Sequence, residues 1–267
     1  AQVGLIDSDA GRKAASGCLF LCRVFSQTMI EPIKRSGFPL PPRGWPLVAL
    51  LAVFILAGLI GHDPWKNDDA VTIGVVADML QRVHWLAPHL ADRPYPDAPL
   101  YYWSAAVTGF AFSWLLPLHD AIRLASGFWV ALILFLLYRA GREWHCNEEA
   151  PHEFAIASVL AMAGCLGFLV HAHEAQPMLV ALAGHAAAYW ALALLPRKPQ
   201  RAAIIFGLGL GLGFLGNGLA AMLTLLPVAL IALWLAKDRT QSGSSLLLGA
   251  LLGAAIATPW PILLAAF

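Results

Sequence analysis

The sequence predicts an all-α, polytopic transmembrane helical bundle. Of its 267 residues, 59% are hydrophobic and only 12% are charged, whereas soluble domains carry about 25% charged residues. The apolar residues are also gathered into long runs, as membrane-spanning helices require. The net charge is +1, and no basic cluster is interleaved with aromatic residues, so we expect no nucleic-acid partner.

Eight apolar segments are candidate membrane helices. They lie at about 46–61, 100–118, 121–138, 154–170, 177–195, 202–216, 218–236 and 245–267. Lys and Arg gather in cytoplasmic loops, so the basic lead at 34–43 predicts a cytoplasmic N-terminus. The later basic connections near 139–142, 197–201 and 237–239 also fall inside if segment 100–118 dips into the outer leaflet without crossing. We therefore predict seven spans; if 100–118 crosses, there are eight.

The chain divides into two parts of different composition. Residues 1–45 hold six of the seventeen Lys and Arg residues and no apolar run long enough to span. We predict that 1–45 is a cytoplasmic N-terminal segment, partly disordered. Residues 46–267 form the transmembrane module, which carries the external, periplasmic loop 62–99.

The external loop is the most informative stretch. Six of the sixteen acidic residues lie between positions 62 and 103. Apolar residues at helical spacing over 69–84 predict an amphipathic helix along the membrane surface, with Asp68 or Asp69 as its N-cap. Prolines between 88 and 99 then predict an extended return to the bilayer.

The Asp68–Asp69 pair has two interpretations. Acidic residues stabilise a helix N-terminus by capping it and by opposing its dipole. A carboxylate that faces a membrane-level cavity would instead gain basicity and act as a proton acceptor or metal ligand. Both interpretations stay open, because a cap needs only one of the two acids.

Three further groups also allow a structural and a functional interpretation. The connection that holds His171, His173, Glu174 and Gln176 is an interfacial turn or an ionisable site at the membrane boundary. The aromatic group Trp85, Tyr95, Tyr101, Tyr102 and Trp103 is an interfacial belt or a platform for sugar rings. Asn217 marks a helix break or reaches into the external site. The glycines before it, at 207, 209, 211 and 213, predict close helix packing.

In order, these motifs resemble membrane glycosyltransferases of the GT-C fold, most closely family 39, which contains protein O-mannosyltransferases and lipid A aminoarabinose transferases. The resemblance runs from about residue 46 to 267. It rests on Pro-Trp-x-x-Asp-acid from Pro64, Trp-Leu-x-Pro-x-Leu from Trp85, Tyr-x-acid-x-Pro-x-x-Tyr-Trp from Tyr95, Ala-His-x-x-Gln-Pro-Met-Leu from Ala172 and Gly-Phe-Leu-x-x-Gly from Gly213.

The resemblance implies transfer of a sugar from a polyprenyl-phosphate donor to a lipid, glycan or protein acceptor, at the external face of the bacterial inner membrane. Asp68 matches the essential loop acid and is the expected catalytic base. Asp69 and His173 are candidate ligands for a divalent metal (Mg, Mn or Zn). The candidate substrate-binding residues are Lys66, Asp69, Arg93, Asp97, Tyr101, Tyr102, Trp103, His173, Glu174, Gln176 and Asn217.

The sequence departs from the family at four positions. Ala98 and Asn217 stand where a Lys is usual, Val71 where an Arg is common, and Gln176 where an Asp often precedes Pro. The lost cations could hold the donor phosphate; Lys66, Arg93 or His173 could compensate. Family members continue with more spans, so we expect an N-terminal module of a longer enzyme. The alternatives are a transporter or flippase for a lipid-linked molecule, and an inactive relative that serves as an assembly partner.

Overall fold

The computed structural model describes residues 44–64, 66–82, 84–236 and 238–266. Almost all of the predicted N-terminal segment lies outside these ranges. In chain order the elements are α1 (Trp45–Leu56), α2 (Asn67–Arg82), β1 (His89–Leu90), β2 (Arg93–Pro94), α3 (Leu100–Phe112), α4 (Leu118–Trp144), α5 (Pro151–Ala163), α6 (Leu166–His171), α7 (Met178–Leu194), α8 (Pro199–Leu235), α9 (Arg239–Ala257) and α10 (Pro259–Ala266).

Among the described residues, three helical stretches are long and apolar enough to cross a membrane: α4, α8 and the run Arg239–Ala266 that combines α9 and α10. The shorter helices α1 and α7 are also apolar. In the described part of the chain, the only strands are the two-residue β1 and β2. The protein is therefore an all-α, multi-pass membrane protein, as its composition predicts.

Helix α2 is the amphipathic helix predicted in the external loop. Its buried face includes Val75, Val76 and Met79. The N-cap prediction is wrong, because the helix begins at Asn67 and both acids lie within its first turn. Acidic side chains there still oppose the helix dipole.

The return from α2 to the bundle is extended, as the prolines predict, and contains a short hairpin. Strands β1 and β2 pair antiparallel. The turn between them places Ala91 and Asp92 in the left-handed region, at φ 50° and 65°. Asp92 also forms an ion pair with Arg82, so the hairpin is attached to the end of α2.

Helix α3 packs against the first half of α4. The Tyr101 hydroxyl donates to Ser126 Oγ at 2.6 Å, and Trp129 Nε1 donates to Ser104 Oγ at 2.9 Å. Near the end of α3, a Cβ placed on Gly109 would lie 3.3 Å from Ile122. These contacts tie α3 to residues 122–129, close to the beginning of α4.

Glycines let α7, α8 and α9 approach closely, as their spacing predicts. Gly209 faces α7, and the backbone of Gly213 borders it, since a Cβ on Gly184 would lie 2.6 Å from the Gly213 nitrogen. Gly207 and Gly211 face α9 instead, and a Cβ on Gly207 would lie 2.7 Å from the Gly249 oxygen. The pair Gly209 and Gly213 therefore contacts α7, whereas the pair Gly207 and Gly211 contacts α9.

Helix α8 is interrupted where Asn217 follows the glycine-rich span. Asn217 and Gly218 have non-helical dihedrals, and the φ of Gly218 is +56°, a value that favours glycine. A Cβ on Gly213 would lie 3.3 Å from Ala221, so the chain after the break folds back along the chain before it. The predicted helix break is present.

Candidate functional site

A buried ion-pair network lies beneath the external loop. Arg123 of α4 is fully buried. It donates two hydrogen bonds to the carboxylate of Asp69 in α2, from Nε at 3.2 Å and from Nη2 at 2.6 Å. Its Nη1 donates to Asp120 Oδ1 at 3.2 Å and to the His62 carbonyl at 2.6 Å. Bidentate Arg–carboxylate pairs are strong and geometrically specific, so this network fixes α2 against α4.

Asp69 belongs to this network. It is fully buried, and its Oδ1 also accepts a hydrogen bond from the Ala175 backbone N–H at 2.7 Å. Both carboxylate oxygens are thus engaged by protein donors. Asp69, predicted to bind substrate or metal, joins α2, α4 and the connection before α7.

Asp68 is in a different environment from its neighbour. Its side chain is exposed and lines a cleft of about 90 Å³. Three predicted residues, Asp97, Tyr102 and Gln176, also line this cleft. The structure therefore brings together four residues that lie up to 108 positions apart in the sequence.

Asp97 is held in a fixed orientation at the cleft. The Tyr102 hydroxyl donates to its Oδ2 at 2.7 Å, and the Ala98 backbone N–H donates to its Oδ1 at 3.0 Å. Tyr95 also lines the cleft, and burial, followed by the nearby carboxylates of Asp97 and Asp68, raises its pKa above the ordinary value of 10.0. The cleft is acidic, because two of the described residues that line it are carboxylates and none of them is Lys or Arg.

Other predicted site residues have partners elsewhere. Lys66 forms an ion pair with the buried Glu174, whose other oxygen lies 3.3 Å from His171 Nδ1. Tyr101 is buried against Ser126. Trp103 donates to the Trp85 carbonyl at 2.6 Å, and Arg93 is exposed in β2. These residues do not line the Asp68 cleft.

The two predicted metal ligands are engaged by protein groups, Asp69 through both carboxylate oxygens and His173 through one ring nitrogen. His173 Nε2 donates to the Phe54 carbonyl at 2.6 Å, and Asp69 is engaged by Arg123 and Ala175. Within residues 44–64, 66–82, 84–236 and 238–266, no group of three or more His, Cys, Asp and Glu side chains is placed to hold a metal ion. The residues present therefore do not fit the predicted metal site.

An apolar cavity of about 620 Å³ adjoins the cleft. Gln176 and Met178 line both spaces. Its polar lining also includes Asn217 and His185, whose Nε2 lies 2.6 Å from Thr224 Oγ1. An acidic cleft beside an apolar cavity suits a substrate with a polar head and a hydrocarbon tail.

Sequence reasoning missed Arg123 and Asp120. The sequence did contain an indication of this role, since Arg123 is a charged residue inside an apolar segment. Burying such a charge costs free energy, so these residues usually pair with an opposite charge. Its main partner, Asp69, lies 54 positions away, beyond the reach of local patterns.

Comparison with known proteins identifies relatives among membrane arabinosyl transferases. The undecaprenyl phosphate-alpha-4-amino-4-deoxy-L-arabinose arabinosyl transferase of Pectobacterium atrosepticum is 27% identical over 194 residues, covering 69% of this chain and 34% of the relative. Transferase 1 of Sodalis glossinidius is 28% identical over 227 residues, covering 81% and 39%. Transferase 2 of Pseudomonas fluorescens is 29% identical over 204 residues, covering 72% and 35%.

The chain thus spans about a third to two fifths of the length of these relatives. No protein-family model matches it, and no solved structure matches it. Assignment to family 39 stays a prediction, but the wider resemblance is confirmed: this chain is similar, over most of its length, to membrane glycosyltransferases of the GT-C type that are named as arabinosyl transferases.

Proposed function

We propose that this chain is part of a glycosyltransferase of the bacterial inner membrane. It transfers a sugar from a polyprenyl-phosphate donor to a lipid, glycan or protein acceptor at the external face. The observation that carries the proposal is the exposed Asp68 carboxylate, in a cleft with Asp97 and Gln176 that adjoins a large apolar cavity. The donor class comes from the names of the relatives.

In the proposed reaction, Asp68 is the general base. Its carboxylate takes the proton of the acceptor hydroxyl while that oxygen attacks the anomeric carbon of the sugar. The bond between the anomeric carbon and the phosphate oxygen breaks, and the polyprenyl phosphate leaves with the electron pair. Attack opposite the leaving group inverts the configuration at the anomeric carbon. General-base catalysis of this kind contributes about 10²- to 10⁴-fold.

Asp97 and Tyr102 position the sugar. Because Asp97 is already held by Tyr102 and the Ala98 backbone, its remaining lone pairs can accept hydrogen bonds from sugar hydroxyls at a fixed place. No described residue of the cleft lining is Lys or Arg, so the donor phosphate binds beside the cleft. Gln176 and Asn217, at the edge of the apolar cavity, supply neutral donors there, and the cavity takes the start of the polyprenyl chain.

We propose seven spans with a cytoplasmic N-terminus. The contacts of α3 with residues 122–129 support an α3 that enters the membrane and leaves it again on the cleft side without crossing. The Arg197–Glu143 ion pair supports a common position for the ends of α4 and α7, where the basic connections collect. Cysteine labelling tests this topology: position 119 is expected to react from outside, and reaction of position 147 from outside would overturn it.

A divalent metal is not part of the proposed mechanism. The residues predicted to hold it, Asp69 and His173, are engaged by Arg123 and the Phe54 carbonyl. A site built on Asp68 and Asp97 would have only two protein ligands from the described residues. All steps above therefore use this chain's own side chains.

A transfer assay on the purified full-length protein tests the proposal. We expect Asp68→Asn to abolish transfer from a radiolabelled polyprenyl-phosphate sugar, while expression and thermal midpoint are unchanged. Asp63→Asn is the matched control, because Asp63 is an exposed acid of the same loop that does not line the cleft. Equal activity of the two variants would refute the assignment.

The same assay separates the alternative functions. An inactive relative that acts as an assembly partner is favoured by one observation, the lack of Lys and Arg among the described residues of the cleft lining. Such a protein would show neither transfer nor hydrolysis of the donor. A flippase would move the labelled lipid between leaflets with its glycosidic bond intact.

A further inference from the structure

A polar cavity of about 690 Å³ lies far from the Asp68 cleft, between the start of α8 and the first turns of α9. Gly216 of α8 lines the cleft, whereas Arg201 of the same helix lines this cavity. Fifteen residues separate them, which is about 22 Å along a helix. The two sites thus lie at opposite ends of the bundle.

The cavity carries an excess of positive charge. Of the described residues that line it, three are cations, Arg197, Lys198 and Arg201, and none is acidic. Arg197 is already paired with Glu143 at 3.1 Å. Lys198 and Arg201 are exposed, and neither forms an ion pair with any residue that the structure describes. Two positive charges therefore face the cavity, and no described acidic side chain pairs with them.

Neutral donors add to this charge. Lys198 is the N-cap residue of α8 and makes no side-chain hydrogen bond to the first turn, so free backbone N–H groups and the positive end of the helix dipole lie at the cavity. The Gln241 side chain and the largely buried Ser245 also line it. Together these groups suit a phosphate group.

Apolar surface continues from one side of the cavity. Leu248 lines it and is 57% exposed. Ile204 and Leu251, on the same two helices, are 54% and 61% exposed. A ligand with a phosphate in the cavity and a hydrocarbon chain on these leucine and isoleucine side chains would satisfy both surfaces.

We propose that this cavity binds the head group of an anionic phospholipid. Basic pockets between transmembrane helices are suited to such head groups, and each Lys or Arg near the membrane surface contributes about 1 kcal/mol. The site is independent of the proposed transfer reaction, because none of its residues lines the Asp68 cleft or the adjoining apolar cavity.

Native mass spectrometry of the full-length protein in detergent, titrated with phosphatidylglycerol, tests the proposal. We expect Lys198→Gln with Arg201→Gln to weaken binding about thirtyfold, which corresponds to about 2 kcal/mol for two lost charges. The charge-matched control is Arg142→Gln with Arg239→Gln, because both arginines are exposed but lie outside the cavity lining. Equal weakening in the two double variants would overturn the site in favour of general surface attraction.

Two further arms identify the ligand. Lys198→Arg with Arg201→Lys keeps both charges and is expected to retain binding within about threefold, because Lys and Arg near the membrane surface contribute alike. Inorganic phosphate at equal concentration is expected to leave phosphatidylglycerol bound, since it lacks the apolar chain; displacement would show a site for free anions and overturn the lipid assignment. A thermal midpoint equal to wild type ensures that any loss reflects the cavity.

Discussion

Replacing Arg123 by Leu is expected to destabilise the protein strongly. The side chain is fully buried and donates to three partners, Asp69, Asp120 and the His62 carbonyl. Its removal leaves two buried carboxylates without their counter-charge. Breaking a buried ion pair in this way costs about 3–5 kcal/mol, and 1 kcal/mol shifts the midpoint of a protein of this size by about 2–4 °C. We therefore expect a fall of about 6–20 °C.

The assay is thermal unfolding of the purified protein in detergent. Arg142→Leu is the matched control, since Arg142 lies on the same helix and is exposed, and exposed substitutions usually change stability by less than about 0.5 kcal/mol. Equal unfolding temperatures for the two variants would show that the buried Arg123 ion pairs do not stabilise the protein. The double variant Arg123→Leu with Asp69→Leu is expected to recover part of the lost stability, because it removes one of the two unpaired carboxylates together with the arginine.

Three single substitutions test the packing at Gly184, the pKa of Tyr95 and the hydrogen bond from Tyr102 to Asp97. Gly184→Ala is expected to lower stability by about 1–3 kcal/mol, because its Cβ would lie 2.6 Å from the Gly213 nitrogen, while Gly167→Ala, with nothing within 4 Å, leaves the midpoint unchanged. Tyr95→Phe is expected to reduce the loss of stability at alkaline pH. The pKa of Tyr95 is raised on folding, so its contribution is complete below pH 10 and is lost as pH rises through the folded value; an identical alkaline profile would count against this. Tyr102→Phe frees one oxygen of Asp97 and is expected to raise KM for the donor several-fold with little change in thermal midpoint; an unchanged KM would show that this hydrogen bond does not position substrate.

Local patterns predicted the parts of the fold that depend on neighbouring residues in the sequence. The spacing of Gly207, Gly209, Gly211 and Gly213 predicted close packing because residues four apart share one helix face. The break at Asn217 was equally local, since a polar residue followed by glycine ends an apolar run. The sequence could not show that the two glycine pairs contact different helices, which depends on how α7 and α9 pack.

The candidate site was predictable in its members but not in their roles. Asp68 and Asp69 are adjacent in sequence, yet one is exposed in the cleft and the other is fully buried on Arg123. Tyr101 and Tyr102 are both buried, but only Tyr102 lines the cleft, because neighbours on a helix point about 100° apart. Which member of each pair faces the cleft depends on tertiary contacts that no local pattern encodes.

We propose that Asp68 performs the chemistry while Asp69 holds the external loop in place. The most direct test measures kcat and thermal midpoint for Asp68→Asn and Asp69→Asn in the full-length protein. We expect Asp68→Asn to lose at least about a hundredfold in kcat with an unchanged midpoint, and Asp69→Asn to lower the midpoint by several degrees. An active Asp68→Asn variant, or an Asp69→Asn variant as stable as wild type, would contradict this division of roles.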